Sequence, residues 1–419
     1  MVGGISTYGF FVVAGRALGP ERYSSLSVLW TLVFFAAPGF LFPIEQEVSR
    51  AVSARRALGV GGGPVIRRAA VLGGSLVAGL VVLTLALSVL MVDHLFDGEV
   101  LLLVALAVAL PLYGVIHLCR GAFSGRGRFT AYGFQLGGEG ALRLVTALVL
   151  ATAGVRSPGL YGVLIPLTAA LAIGAVLARE RNLLEPGPSA SWSELSEALG
   201  WLLVGAVLAQ GFVNASVPLV KVLADDGEQK IAGQFQAGLI ITRVPLFFFQ
   251  AVQAALLPKL SGLAAAGRIA DFRSGLRRLV VVIVALAVAA TAGAFAIGPW
   301  VLRVAFGSDY DKLTNIDLGW LALASGAFML AQALSQALIA LRSHAKAALG
   351  WVVAITVFAA GVVLGDGLLP RVELGLVTGS LAGVVAMAVL LRGRMARGVP
   401  EEDLALVEAI APTHEIIEP

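Results

Sequence analysis

Few residues of this 419-residue chain could do chemistry, and most of those sit inside long apolar runs. Arg243 lies in the run Ile240-Ile241-Thr242-Arg243-Val244-Pro245, with no acidic residue near it on the same helix. A guanidinium offers paired N–H donors that suit phosphate or carboxylate oxygens. Pro245 removes a backbone donor and kinks or loosens a helix at that point. Two readings stay open for Arg243: it pairs with a carboxylate from another helix, Glu139 or Glu45, or it holds the anionic head of a substrate in a wet cavity. Glu139 and Arg143 stand four residues apart and so share a helix face. They form either a self-neutralising structural pair or an ionisable group lining a path and coupling it to an ion.

Amide side chains gather in the same runs. Gln210 and Asn214 are four residues apart, while Gln236 and Gln250 each lie seven residues from Arg243, two turns away on its face. Arg16 and Arg50 stand at the edges of apolar runs and are weaker anion-binding candidates. Thr7, Tyr8, Pro43, Glu45, Gln46, Gln332 and Gln336 add softer polar groups. Hydrogen bonding between helices accounts for any one of them; their concentration in four particular runs points to a shared polar cavity.

Other chemistries lack their residues. There is no Gly-rich loop followed by Lys and Ser or Thr, so no ATPase is built in. His94, His117, His344 and His414 are too scattered to suggest metal ligands, and Cys119 is the single cysteine, which excludes an internal disulfide and a thiolate zinc site. No motif supports catalysis, and neither cofactor nor metal is expected. The formal charge of +4 is dispersed between apolar runs, so no nucleic-acid partner is implied.

The elements that must position these side chains follow from composition. Hydrophobic residues make up 58% of the chain and charged ones 13%, with mean hydropathy +0.91. Soluble domains carry about 25% charged and about 45–50% apolar residues. Lipid must therefore be the solvent. Helices or closed barrels alone satisfy their own backbone there, and the alternation of a barrel is absent. The expected class is all-α, a polytopic membrane protein of about twelve spans in two pseudo-symmetric six-helix bundles. The spans lie near residues 2–15, 24–42, 69–92, 101–118, 131–153 and 160–177, then 199–219, 231–256, 279–301, 318–341, 348–364 and 374–391. The first is short for a crossing, which suggests either a short helix or, preferably, a start upstream of Met1.

The expected organisation is an N-terminal bundle over 1–180, a cytoplasmic linker over 181–198, a C-terminal bundle over 199–392 and an acidic cytoplasmic tail over 393–419. One set of alternate loops holds roughly twenty basic residues, counting Arg50, Arg55, Arg56, Arg67, Arg68, Arg120, Arg126 and Arg128; the opposite set holds about eight. The positive-inside rule puts the first set, and both termini, in the cytoplasm. Gly19-Pro20-Glu21 and Gly227-Glu228-Gln229 open equivalent stretches, and Arg67-Arg68 and Arg277-Arg278 precede equivalent spans. Parallel repeats of this kind place a transport site near the midplane between the halves.

The run Gly15-Arg16-Ala17-Leu18-Gly19-Pro20-Glu21-Arg22-Tyr23 resembles the start of bacterial polysaccharide flippases of the multidrug/oligosaccharidyl-lipid/polysaccharide exporter superfamily. Their common pattern has Ala before the Arg and Gly after the Tyr, where this chain has Gly15 and Ser24. Pro43-Ile44-Glu45-Gln46-Glu47-Val48-Ser49-Arg50 is similar to actinobacterial proteins of the same kind. The resemblance implies a V-shaped pair of bundles in the cytoplasmic membrane, moving a polyprenyl-pyrophosphate-linked oligosaccharide outward by alternating access for polysaccharide export. It implies cavity cations from the first, second and eighth spans, so Arg243 is the best carry-over and Arg16 and Arg50 the weaker ones. Gln and Asn would meet sugar hydroxyls, and glycosyltransferases or a polymerase of a polysaccharide pathway would be partners. Two other readings remain: a multidrug or cation antiporter of the same fold, which wants a cavity acid that the first span lacks, and a membrane glycan polymerase or ligase, which wants a long outer loop.

Overall fold

The computed structural model describes residues 2–180, 183–195, 199–225, 227–246, 263 and 267–396. Fourteen helices carry the described chain: α1 (Val2–Ala36), α2 (Phe42–Ala57), α3 (Gly63–Ala86), α4 (Ser88–His94), α5 (Val100–Gly125), α6 (Phe129–Thr152), α7 (Pro158–Leu177), α8 (Leu199–Asn214), α9 (Ser216–Leu223), α10 (Gln229–Thr242), α11 (Ile269–Phe306), α12 (Asn315–Ala340), α13 (His344–Leu364) and α14 (Leu368–Ala396). A π-turn, Ala37–Leu41, joins α1 to α2. Among the described residues, 9 helical stretches are long and apolar enough to cross a membrane, or 10 with the bent pair α8 and α9 as one span. The chain is a multi-pass membrane protein.

The first of those stretches is two spans. Gly19 has φ 73°, a left-handed conformation that glycine adopts without strain, and Pro20 follows it. The Phe11 and Trp30 rings lie 4.8 Å apart, although nineteen residues of straight helix would separate them by about 28 Å. The chain therefore folds back at Gly19 into two arms. The second arm runs on through the π-turn and α2 to Ala57, well past the end expected near residue 42. Pro38 and Pro43 bracket this passage; neither can donate a backbone bond, and the helix widens to π between them without stopping.

Prolines also break the seventh and eighth spans. Pro218 lacks the N–H that would bond the Asn214 carbonyl, and α9 leaves α8 at 44°. The regular turns of α10 end at Thr242, three residues before Pro245. The eighth expected span beyond Leu246, with Gln250, lies outside the described residues, as does the tail from residue 397. α14 itself runs to Ala396, past the boundary expected at 392.

Helices α1–α7 pack mainly among themselves, as do α8–α14, and the two groups meet where α1 lies against α10 and the π-turn against α8. Close approach is made by small residues: a Cβ on Gly233 of α10 would run into the Pro20 carbonyl, and Gly39 of the π-turn sits over Gln210 and Val207 of α8. α11 is the opposite case, with 6% of its most apolar window buried, and it turns Val281, Val282, Val288 and Trp300 outward. A face this apolar suits contact with lipid rather than water.

The linker is clamped to the N-terminal group. Arg55 Nε donates to Glu194 Oε2 at 2.7 Å and its Nη2 to Glu194 Oε1 at 3.0 Å, while its Nη1 bonds the carbonyls of Gly61 and Pro188. The Gly63 amide donates to the Glu185 carbonyl at 2.9 Å, and Arg68 lies 5.0 Å over the Trp192 ring. The hydrogen bonds from Arg55, helped by the Ser191 amide, push the Glu194 carboxyl down to about 2. A depressed carboxyl stabilises the docked linker above its ordinary range near pH 4.3 and loses that contribution as pH falls through about 2. Pepsin should therefore leave residues 183–195 intact at pH 4 and cut them faster as pH approaches 2; Glu194→Gln should be cut readily at both, and equal resistance of the variant at pH 4 would remove this clamp.

Candidate functional site

Arg243 stands at the C-terminal end of α10, where the chain leaves the regular helix before Pro245. It is half-buried, and its Nη2 donates to the Val213 carbonyl at 2.5 Å. That carbonyl belongs to the last turn of α8, which the break before α9 leaves partly unpaired and which carries the negative end of the helix dipole. Among the described residues no carboxylate pairs with Arg243. Tyr8 of the first arm is near enough to interact with it electrostatically. Arg243 is ten residues beyond Gly233, which touches the hairpin tip, so it lies about 15 Å along the helix, half the depth of a hydrocarbon core.

The neighbouring amides are arranged around the same breaks. Asn214 Nδ2 donates to the Gln210 carbonyl at 3.0 Å and to its Oε1 at 3.1 Å, one turn from Val213. Gly233, Gln236, Ile240 and Arg243 fall on one face of α10, the face turned to α1. Gln236 is buried, and its Oε1 has no hydrogen-bond partner among the described residues. First arm, π-turn, α8 and α10 thus bring Tyr8, Gly39, Gln210, Asn214, Gln236 and Arg243 to the seam between the two groups.

The other two candidate arginines are elsewhere. Arg16 is exposed and donates to the carbonyls of Ala305 at 2.7 Å and Val304 at 2.5 Å, capping the C-terminus of α11. Arg50 is bound to Glu47 and to the Glu194 carbonyl beside the linker. Both are engaged at opposite ends of the bundle, where a long apolar helix ends or the linker docks.

Glu139 and Arg143 pair on α6 as the four-residue spacing suggests, but in larger company. Tyr113 Oη donates to Glu139 Oε1 at 2.5 Å, Gln135 Nε2 to Glu139 Oε2 at 2.9 Å, and Arg120 Nη2 to the same Oε2 at 3.4 Å. Arg120 Nε also bonds Gln135 Oε1 at 2.6 Å, and Arg143 stacks 5.0 Å over Trp30. Beside this cluster Glu45 Oε2 lies 2.6 Å from His117 Nδ1, while Tyr132 Oη donates to Glu45 Oε1 at 2.8 Å. All of Glu45, His117, Arg120, Gln135, Glu139 and Arg143 are buried.

Arg120, assigned to a basic loop by its neighbours in sequence, is therefore a buried residue of α5, and His117 belongs to the same network. The helix period could have found them: Tyr113, His117 and Arg120 follow at i, i+4 and i+7, one polar stripe on an otherwise apolar helix. Because Glu45 and Glu139 are each occupied by groups of α5 and α6, neither is the counter-ion of Arg243.

No family profile matches the chain. It is 25% identical over 391 residues to the uncharacterized protein Rv3630 of Mycobacterium tuberculosis, covering 90% of this chain and 85% of that protein. It is 28% identical over 409 residues to the uncharacterized protein Rv1510 of the same organism, covering 92% and 88%. Among solved structures it resembles an inward-facing multidrug resistance MATE family transporter of the MOP superfamily, at TM-score 0.70 and 13% identity over 94% of this chain and 95% of that one. A MATE transporter in the bent conformation gives 0.67 at 16% identity, with 96% and 94% covered. An outward-facing multidrug resistance MATE transporter gives 0.66 at 12% identity, with 95% and 94% covered. The fold is that of these transporters along almost the whole chain.

Proposed function

We propose that the protein is an alternating-access transporter whose seam between the two helix groups receives an anionic head group, and that its cargo is a polyprenyl-pyrophosphate-linked oligosaccharide moved across the cytoplasmic membrane. One observation carries this reading. Arg243 lies on the seam, about 15 Å along α10 from the hairpin tip, with a single carbonyl as hydrogen-bond partner among the described residues, while the buried arginines Arg120 and Arg143 are consumed by Glu139. A pyrophosphate carries at least two negative charges and presents oxygens that fit the donors left on a guanidinium. Gln210, Asn214 and Gln236 supply amides for sugar hydroxyls, and the polyprenyl chain stays in lipid beside the seam. The fold supports alternating access; the charge supports the cargo class.

A multidrug or cation antiporter is the second reading, favoured by the MATE likeness of the fold. A guanidinium at the seam with no carboxylate beside it among the described residues repels a cationic drug, which is why the anionic cargo is preferred here. Liposomes holding the purified protein and a fluorescent polyprenyl-pyrophosphate sugar, quenched from outside, separate the two. Movement of the labelled lipid supports the flippase; proton- or sodium-driven ethidium uptake without lipid movement overturns it in favour of the antiporter.

A further inference from the structure

The end of the bundle with the sparser basic loops, the outer end by charge asymmetry, is closed in a way the transport seam does not explain. Lys221, in the last turn of α9, is fully buried, an unusual state for an ammonium. Its Nζ donates to Asp97 Oδ2 at 2.7 Å, to Ser24 Oγ at 2.9 Å and to Gln229 Oε1 at 2.7 Å, which uses all three of its protons. Ser24 and Asp97 belong to the N-terminal group, Lys221 and Gln229 to the C-terminal one. Asp97 also accepts from Ser25 Oγ at 2.9 Å and holds φ 51°, a left-handed conformation that costs energy in a residue other than glycine. Its side chain remains 44% exposed, so water reaches one side of the pair.

The same end is joined by other contacts across the groups. Tyr310 Oη donates to the Gly15 carbonyl at 3.0 Å, and Arg16 caps α11. Tyr23 packs against Phe306 and Tyr310, at ring distances of 6.0 and 6.4 Å. The tyrosine contacts are neutral and separate without leaving a charge behind, and the Arg16 guanidinium is already exposed to solvent. Lys221 is different: as the groups part here, its ammonium must exchange Ser24 and Asp97 for water.

We infer that Lys221, held by Asp97 and Ser24, is the latch that keeps the outer end of the seam shut, so that the strength of this one ion pair sets how often that end opens. The inference rests on the alternating-access reading and adds the group that controls it. An ammonium is hydrated readily once the cleft opens, so the closed state depends on the carboxylate: without it a buried cation loses its counter-ion.

The test uses the full chain in lipid nanodiscs, with Cys119→Ser and spin labels on Arg156→Cys and Asp311→Cys, both exposed and on opposite groups. Asp97→Asn keeps the left-handed backbone, which Asn tolerates, and removes only the charge. It should raise the ratio of long to short label distances by about tenfold or more, as removing the half-exposed counter-ion of a buried ammonium predicts. Lys221→Met, which fills the same space without the charge, should instead change the ratio while making it insensitive to Asp97→Asn. An Asp97→Asn distribution that matches the wild-type one, in protein that remains monodisperse, overturns the latch. This readout needs no cargo. A shifted distribution in a protein that moves no labelled lipid removes the cargo reading and leaves the latch, whereas lipid movement with an unmoved distribution removes the latch alone.

Discussion

Replacing Arg243 by alanine should abolish movement of a pyrophosphate-linked lipid while the protein still inserts and remains monodisperse. The fold loses little, because no carboxylate is left unpaired among the described residues and the lost bond is one to the Val213 carbonyl. The cargo loses its charged partner in a medium of low dielectric, a cost of about 3 kcal/mol, or about a hundredfold in rate. Arg243→Lys should recover part of the rate, since it keeps the charge but not the paired donors. The measurement is dithionite quenching of a fluorescent polyprenyl-pyrophosphate sugar in liposomes. Wild-type rates in the alanine variant would remove Arg243 from the mechanism, and with it the argument for an anionic cargo.

The second large effect is on stability. Glu139→Ala leaves Arg120 and Arg143 buried together without their shared carboxylate, and Tyr113 and Gln135 without their acceptor. Breaking a buried ion pair from one side costs about 3–5 kcal/mol, a large part of the about 5–15 kcal/mol that holds a domain folded. A marked fall in thermal midpoint or in monodisperse yield is expected, with Glu139→Gln falling between it and the wild type because its amide oxygen still accepts. Unchanged thermal unfolding of Glu139→Ala would show that the network contributes nothing to the fold. If Glu139→Gln kept its thermal midpoint but made transport indifferent to an ion gradient, the coupling role would be preferred to the structural one.

These two residues were legible in different degrees. The Glu139–Arg143 contact is local: four residues on one helix bring the groups together whatever else the chain does. Their partners on α5 were not, because Tyr113 and Arg120 meet α6 only once two helices have chosen their facing sides. Arg120, a basic residue followed by Arg126 and Arg128, reads in sequence as part of a loop, while the helix continues to Gly125. Arg16 and Arg50 carry the right charge for a cavity, yet ends of neighbouring elements hold them, and nothing in their local sequence says so.

Hydropathy is a local property, so the order of apolar and charged residues sufficed to specify lipid as solvent, helices as the elements and the places where the chain crosses. Pro245 likewise marks where the eighth span leaves its regular turns, but the fold-back at Gly19 and the break before α9 are decided in the structure, and Pro111, Pro166 and Pro299 sit inside continuous helices. The partner of each buried charge was decided only by tertiary packing: Glu45 meets His117 from 72 residues away, Lys221 meets Ser24 from 197 away, and Arg243 meets no acid among the described residues. Which cation is neutralised and which remains available depends on the faces that two helices turn to each other, and that choice is made by shape complementarity across the whole bundle.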